Sequence, residues 1–213
     1  LTPVDDASEP NAALAWQRAS KADDRDPSRI DAEAYRQLFS YAFGRAYPSH
    51  KVGEALGPDS ASVAHVVEVR EPDQDPGFVV VTNGFGRVAQ PRGDAVGAPH
   101  LELVTWVEAD SALIVSLVGH IGRAIHERGP DASPFKPGDT LRVPVAALAL
   151  AGFVLNDSGY VPMPAGAPIT LLELVPLDEA DYAEAKHAGT AWLEAHYADP
   201  DARRRIRARW RAV

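Results

Sequence analysis

Short apolar runs bounded by turn residues alternate along the chain with longer stretches of helical periodicity. Phe78, Val79, Val80 and Val81 form a continuous run too short for a helix. Leu101, Leu103, Val104, Trp106 and Val107 form a second run with β-branched and aromatic bias, and both runs predict core strands. Between them lie Gly, Pro, Asn, Asp and Arg, the composition of an exposed loop. Ser62 to Arg70, SVAHVVEVR, alternates with apolar residues on both faces and predicts an interior strand. Phe135 to Val143, FKPGDTLRV, predicts a Pro-Gly turn and a short strand. Gly152 to Leu155 and Ile169 to Val175 predict two more, with turns at 156–159 and 162–168.

Helical spacing appears in five places. Asn11 to Ser20 predicts a short helix contacting through Leu14 and Trp16. Asp26 and Pro27, as cap and first residue, open a helix to about Tyr47 that carries Ile30, Ala34, Leu38, Phe39, Tyr41 and Phe43, and Pro48 ends it. Asp110 or Ser111 caps a helix with Leu113, Ile114, Leu117, Val118, Ile121 and Ile125, in which Gly119 and Gly122 allow close approach to a sheet. Asp178 caps an amphipathic helix bent near Gly189, and Asp199 with Pro200 starts an arginine-rich one with Ile206, Trp210 and Val213 on one face. Strands and helices without regular alternation predict an α/β chain of the α+β kind, a mixed β-sheet flanked by helices. The expected organisation is an extension over 1–29, a main domain over 30–198 and an arginine-rich helix over 199–213.

Composition narrows the class. With 46 % hydrophobic and 24 % charged residues the 213-residue chain is neither disordered nor membrane-spanning by pattern. Cysteine is absent, which removes disulfides and thiolate chemistry and fits a reducing, cytoplasmic compartment. The first residue is Leu1 and no apolar leader follows it. Net charge is −9, and because residues 203–213 hold six arginines and no acid, the rest of the chain carries −15. Such a field disfavours nucleic acid and anionic membrane as partners and speeds encounter with a basic protein. The terminal arginines complement a helix C-terminus and the acidic body, which favours a docked helix over a phosphate-binding one.

Chemical motifs are sparse. Gly84, Gly86 and Ala89 match G-x-G-x-x-A after a strand, but Gln90, Pro91, Arg92, Gly93 and Asp94 break the helix that a dinucleotide site requires. His120 and His126 are six apart, and no H-E-x-x-H, nucleophile elbow or phosphate-loop lysine is present. No catalytic residue, metal or cofactor is expected. One polar trio, His65, Glu102 and Glu173, stands on otherwise apolar strands and gives an alternative reading as the lining of an enzyme or small-ligand pocket. A third reading is a structural module of a larger protein.

The succession of segments carries more. A strand running into a Thr/Ser-x-Gly loop, VVVTNGF, is followed by a Glu-Leu strand, HLELVTWV, and a helix, SALIVSLVGHIGRAIHE. A Gly-Asp strand, FKPGDTLRV, then precedes an apolar strand entering an acidic helix, ITLLELVPLDEADYAEAKHAGTAWLEAHY. In order and spacing, over about Tyr41 to Tyr197, this resembles the suppressor of fused domain family. The resemblance implies a mixed sheet flanked by helices and a protein-binding rather than enzymatic role. Animal members of that family restrain transcription factors by capturing a peptide, and bacterial single-domain members look like immunity proteins that neutralise a cognate toxin. By the same resemblance Asp139 falls at an acidic, partner-contacting position. Asn83, Phe85 and Arg87 are expected on an exposed partner-facing loop, and the expected partner is a protein or peptide, a basic toxin above all.

Overall fold

The computed structural model describes residues 32–46, 50–55, 64–69, 77–85, 100–107, 112–126, 133–163 and 168–211. The predicted helix over 11–20, the Asp26–Pro27 cap, Asp110, Ser111, Arg87 and Val213 lie outside them. In chain order the elements are α1 (Ala32–Ala46), β1 (His50–Ala55), β2 (Ala64–Val69), β3 (Gly77–Thr82), β4 (His100–Val107) and α2 (Ala112–His126). They continue with β5 (Thr140–Val145), β6 (Leu150–Val161), β7 (Ile169–Leu177), α3 (Glu179–Ala188), α4 (Thr190–His196) and α5 (Pro200–Arg207). Single 3-10 turns cover Ala146–Leu148 and Ala208–Trp210.

Among the described residues seven strands form one sheet in the order β1-β2-β3-β4-β7-β6-β5. Every neighbouring pair is antiparallel except β4 and β7, which run parallel with His100 opposite Ile169 and Val104 opposite Glu173. The sheet is therefore mixed, as the pattern predicts.

Its two faces are covered differently. On one, α2 lays Ile114, Val118, Ile121 and Ile125 over Val80, Leu101, Leu103, Phe153, Leu172 and Leu174. On the other, α1 sets Tyr35, Phe39 and Phe43 against Val79, Val81, Val104, Val161, Ile169 and Leu171, and α3 to α5 cover Val154, Val175 and Leu177 with Ala185, Trp192, Leu193, Tyr197 and Ile206. Such burial on both faces explains why β4 and β7 read as near-continuous apolar runs.

Three details depart from the pattern, and the bend expected near Gly189 forms as a break between two helices. β1 carries the polar sequence HKVGEA and was not expected as a strand; it sits at the sheet edge with β2 as its neighbour, where such a composition is tolerated. The turn expected at 156–159 is a bulge inside β6: the register slips between Asp157 and Tyr160, and the Gly159 amide donates to Asp157 Oδ1 at 2.8 Å. That slip changes the phase of the strand, so that Val154 and Val161, seven residues apart, pack on the same face. Leu113 is exposed because the buried row of α2 starts at Ile114. The helix after Asp178 breaks into two at Gly189, whose φ is 58°.

The two predicted caps within the described residues form: Asp178 Oδ1 accepts from the Asp181 amide and Asp199 Oδ1 from the Ala202 amide, each at 2.9 Å. Beyond α5, Trp210 stacks on Phe153 at 5.2 Å among the residues covered by α2. Ile206 lies on the opposite face. The C-terminal segment thus crosses from one face of the sheet to the other near the end of β7, where Arg209 donates to the Pro176 carbonyl at 3.3 Å.

Candidate functional site

Two glutamates are buried on the same face of the sheet, Glu102 on β4 and Glu173 on β7. Glu102 is held by the loop that leaves β3. Its carboxylate accepts from the Thr82 hydroxyl, from the Gly84 amide at 2.9 Å and from the Tyr35 hydroxyl of α1 at 2.7 Å. Thr82 Oγ1 in turn accepts from the Leu103 amide at 2.8 Å. Gly84 has a φ of 141°, which a side chain would resist, so the backbone can aim its N–H at the carboxylate. Burial, followed by the neighbouring Glu102 charge, pushes the Tyr35 hydroxyl well above the usual tyrosine range and keeps it a donor.

The loop residues that follow are interior. Asn83 is fully buried, and its Nδ2 donates to Ser40 Oγ of α1 at 3.1 Å. Phe85 is 4 % exposed, and its ring lies so close to Gly122 of α2 that a Cβ there would collide with it. The expectation of an exposed loop at Asn83 and Phe85 is therefore corrected: polar and glycine-rich composition marks surface loops because backbone groups need water, whereas here Glu102 and Ser40 meet those groups inside. The close approach expected of the α2 glycines is made by Gly122, to that loop's phenylalanine.

Glu173 sits among residues from three elements. Its Oε1 accepts from the Tyr197 hydroxyl at 2.6 Å and from Arg207 through Nε at 3.0 Å and a terminal nitrogen at 2.8 Å, and Oε2 accepts from Asn156 Nδ2 at 3.3 Å. Arg207 also lies over the Trp106 ring at 4.7 Å. Burial, then Glu173, raises the Tyr197 hydroxyl far above its ordinary value, so it too remains protonated and donating.

The register places His65, Glu102 and Glu173 on one face of the sheet, with His65, Val81, Val104 and Glu173 in a row across four strands, but the two carboxylates are engaged by different partners. Glu102 and Glu173 are 0 % and 2 % exposed, the first held from α1 and the β3 loop, the second from β6, α4 and α5. His65 is opposite Val81 in the sheet register, and its side chain lies outside the described residues. Among the described residues no group of three His, Asp or Glu side chains is placed to hold a metal, and no helix is long and apolar enough to cross a membrane.

A different region is open. β5 is an edge strand, paired with β6 and with no further strand beyond it among the described residues. Leu141, Val143 and Val145 are half-buried against the core, while Arg142 reaches Glu179 through two hydrogen bonds of 2.9 Å and lies 4.8 Å from the Tyr182 ring. Asp139 is half-buried at the start of this edge. Its Oδ2 accepts from the Lys136 amide at 3.0 Å, closing the Pro-Gly turn, and its carbonyl accepts from the Leu155 amide at 2.9 Å.

No protein-family model matches the sequence, and no curated protein matches it. Solved structures do. The protein described as a suppressor of fused homologue from Neisseria gonorrhoeae superimposes with a TM-score of 0.56 at 15 % identity, over 78 % of this chain and 89 % of that one. A chain of the Sufu–Fu complex superimposes with a TM-score of 0.58 at 14 % identity, over 79 % and 86 %. The chain folds as a suppressor of fused-like domain.

Within that fold the Thr-x-Gly loop and the Glu-Leu strand meet at Glu102, so both motifs serve the interior of the suppressor of fused-like domain. Sequence reasoning pointed to Glu102, Glu173 and the Thr82 loop and missed the partners Tyr35, Asn156, Tyr197 and Arg207. Tyr35 falls four residues before Phe39 on a helical stripe, which signals burial but no hydrogen bond. Glu173 and Arg207 are thirty-four positions apart, and no local pattern signals that they pair.

Proposed function

We propose that this suppressor of fused-like domain is a non-enzymatic protein-binding module, a cytoplasmic bacterial immunity protein that captures and neutralises a basic toxin. The observation that carries the reading is the likeness, over most of the chain, to a protein solved as the Sufu–Fu complex. Two further features support it. The buried carboxylates that could have served catalysis are engaged by Tyr35, Thr82, Gly84, Tyr197 and Arg207. Residues 1–202 carry a net charge of −15, which attracts a basic partner and raises its association rate.

The docking region in this reading is the β5 edge with Asp139 at its head. An extended segment of the partner pairs with the free edge through backbone hydrogen bonds while the carboxylate selects a basic side chain. Asn83 and Phe85 act indirectly, by setting the interior beneath the sheet. Calorimetric titration with the product of the neighbouring gene tests the proposal: a saturable complex supports it, and the absence of heat with a folded partner removes it.

A further inference from the structure

The C-terminal segment is attached to the rest of the chain much as a basic ligand is to an acidic surface. Arg207 is held by Glu173 of β7, and Arg209 by Asp178 and Asp181 at the start of α3, at 3.1 and 2.6 Å. Two ring contacts add to these ion pairs: the Arg207 guanidinium lies 4.7 Å from the Trp106 ring, and Trp210 stacks on Phe153. The contacts fall in one short pattern, Arg-x-Arg-Trp over 207–210, in which the first guanidinium meets β7, the second meets α3 and the ring crosses to the other face of the sheet. The six arginines that offset the acidic body by sequence thus place two of their number on its carboxylates.

Several features mark this attachment as a strap rather than a core element. Both arginines are part-exposed, so a competing cation can reach their carboxylates from solvent. The Trp210 indole N–H is buried and meets no acceptor among the described residues, a penalty of about 1–3 kcal/mol against the docked state. Ala198, Asp199 and Pro200, which lead into the segment, are all exposed. At eight residues α5 is too short to hold as a helix without the surface beneath it.

The geometry points to an acidic docking site beneath this segment, formed by Glu173, Asp178, Asp181 and Phe153, that takes an arginine-rich partner segment with an aromatic anchor. Residues 199–211 cover it in the free chain as an autoinhibitory strap. This inference rests on the reading of the chain as a binder of a basic protein and adds a second site to the β5 edge. The strap competes at the roughly millimolar effective concentration of a short tether, so a partner displaces it only by matching its contacts.

The probe is a fluorescein-labelled synthetic peptide of residues 199–213, followed by fluorescence anisotropy against the full chain and against Arg209→Gln with Trp210→Ala, which loosens the strap. The loosened chain, although less stable, is expected to bind the peptide at least about tenfold tighter than the parent, and a scrambled peptide of the same composition about tenfold weaker. Hydrogen exchange on the parent needs no variant and decides the matter if the loosened chain does not fold. At millimolar unlabelled peptide, displacement of the strap raises amide exchange in α5 at least about twofold and leaves β7 unchanged. Unchanged α5 exchange, a folded loosened chain that binds the peptide no tighter than the parent, or equal binding of the scrambled peptide overturns the proposal. Neither readout involves the neighbouring gene's product, so this inference and the proposed function fail on different results.

Discussion

Arg207 grips Glu173 through two nitrogens on a single oxygen, at 3.0 and 2.8 Å, across thirty-four residues of sequence. The pair ties the last helix to the interior strand β7, and the guanidinium, 22 % exposed, lies over the Trp106 ring. With Glu173 almost wholly buried, removal of the cation leaves a charge facing Tyr197 and Asn156 alone.

Arg207→Met is accordingly expected to cost about 3–5 kcal/mol, and Arg207→Met with Glu173→Gln markedly less than that, because the uncompensated charge is the main penalty. Urea denaturation of the two variants measures the difference. Equal losses would show that the pair contributes packing rather than charge compensation.

Stability falls above pH 10. Tyr35 and Tyr197 are both held protonated in the folded chain, above their ordinary value, so the unfolded chain releases these protons first. Their stabilisation is complete below pH 10 and is lost as pH rises beyond it, by roughly 1.4 kcal/mol per pH unit for each tyrosine. Denaturation at pH 8 to 11.5 checks the slope. Tyr35→Phe should flatten it while costing about 1–3 kcal/mol at neutral pH, since Glu102 then loses a donor.

Phe85 is an interior residue. Phe85→Ala is expected to destabilise by about 3–5 kcal/mol, the range for emptying a buried aromatic site. Gly122→Ala costs about 1–3 kcal/mol by collision with the same ring. Combining Gly122→Ala with Phe85→Leu should recover part of the loss relative to additivity, as thermal denaturation would show.

What was legible in the sequence follows from the range of the interactions. β3, β4 and α2 are visible because their burial is written in adjacent residues, as in Val79 to Val81 or Ile114, Val118 and Ile121. The caps at Asp178 and Asp199 are equally local. β1 and the β6 bulge are not, since an edge position and a register slip are set by neighbouring strands. The candidate site shows the same division. Resemblance located Thr82, Gly84 and Glu102 in sequence, yet the burial of Asn83 and Phe85 depends on Ser40 and Gly122, some forty residues away on either side.

Asp139 separates folding from docking. Asp139→Asn keeps an acceptor for the Lys136 amide and removes the charge. Folding stability should stay within about 0.5 kcal/mol of the parent, while association with a basic partner slows and loses part of its salt dependence. Stopped-flow association at several ionic strengths reads both effects.

The most direct measurement is calorimetric titration of the intact chain with the purified product of the neighbouring gene, which the proposal holds to be a toxin, repeated at low and high salt, alongside an assay of that product's toxicity. A stoichiometric complex that weakens with salt and silences the toxin is the expected result. A folded chain that leaves the toxin active and unbound would contradict the account.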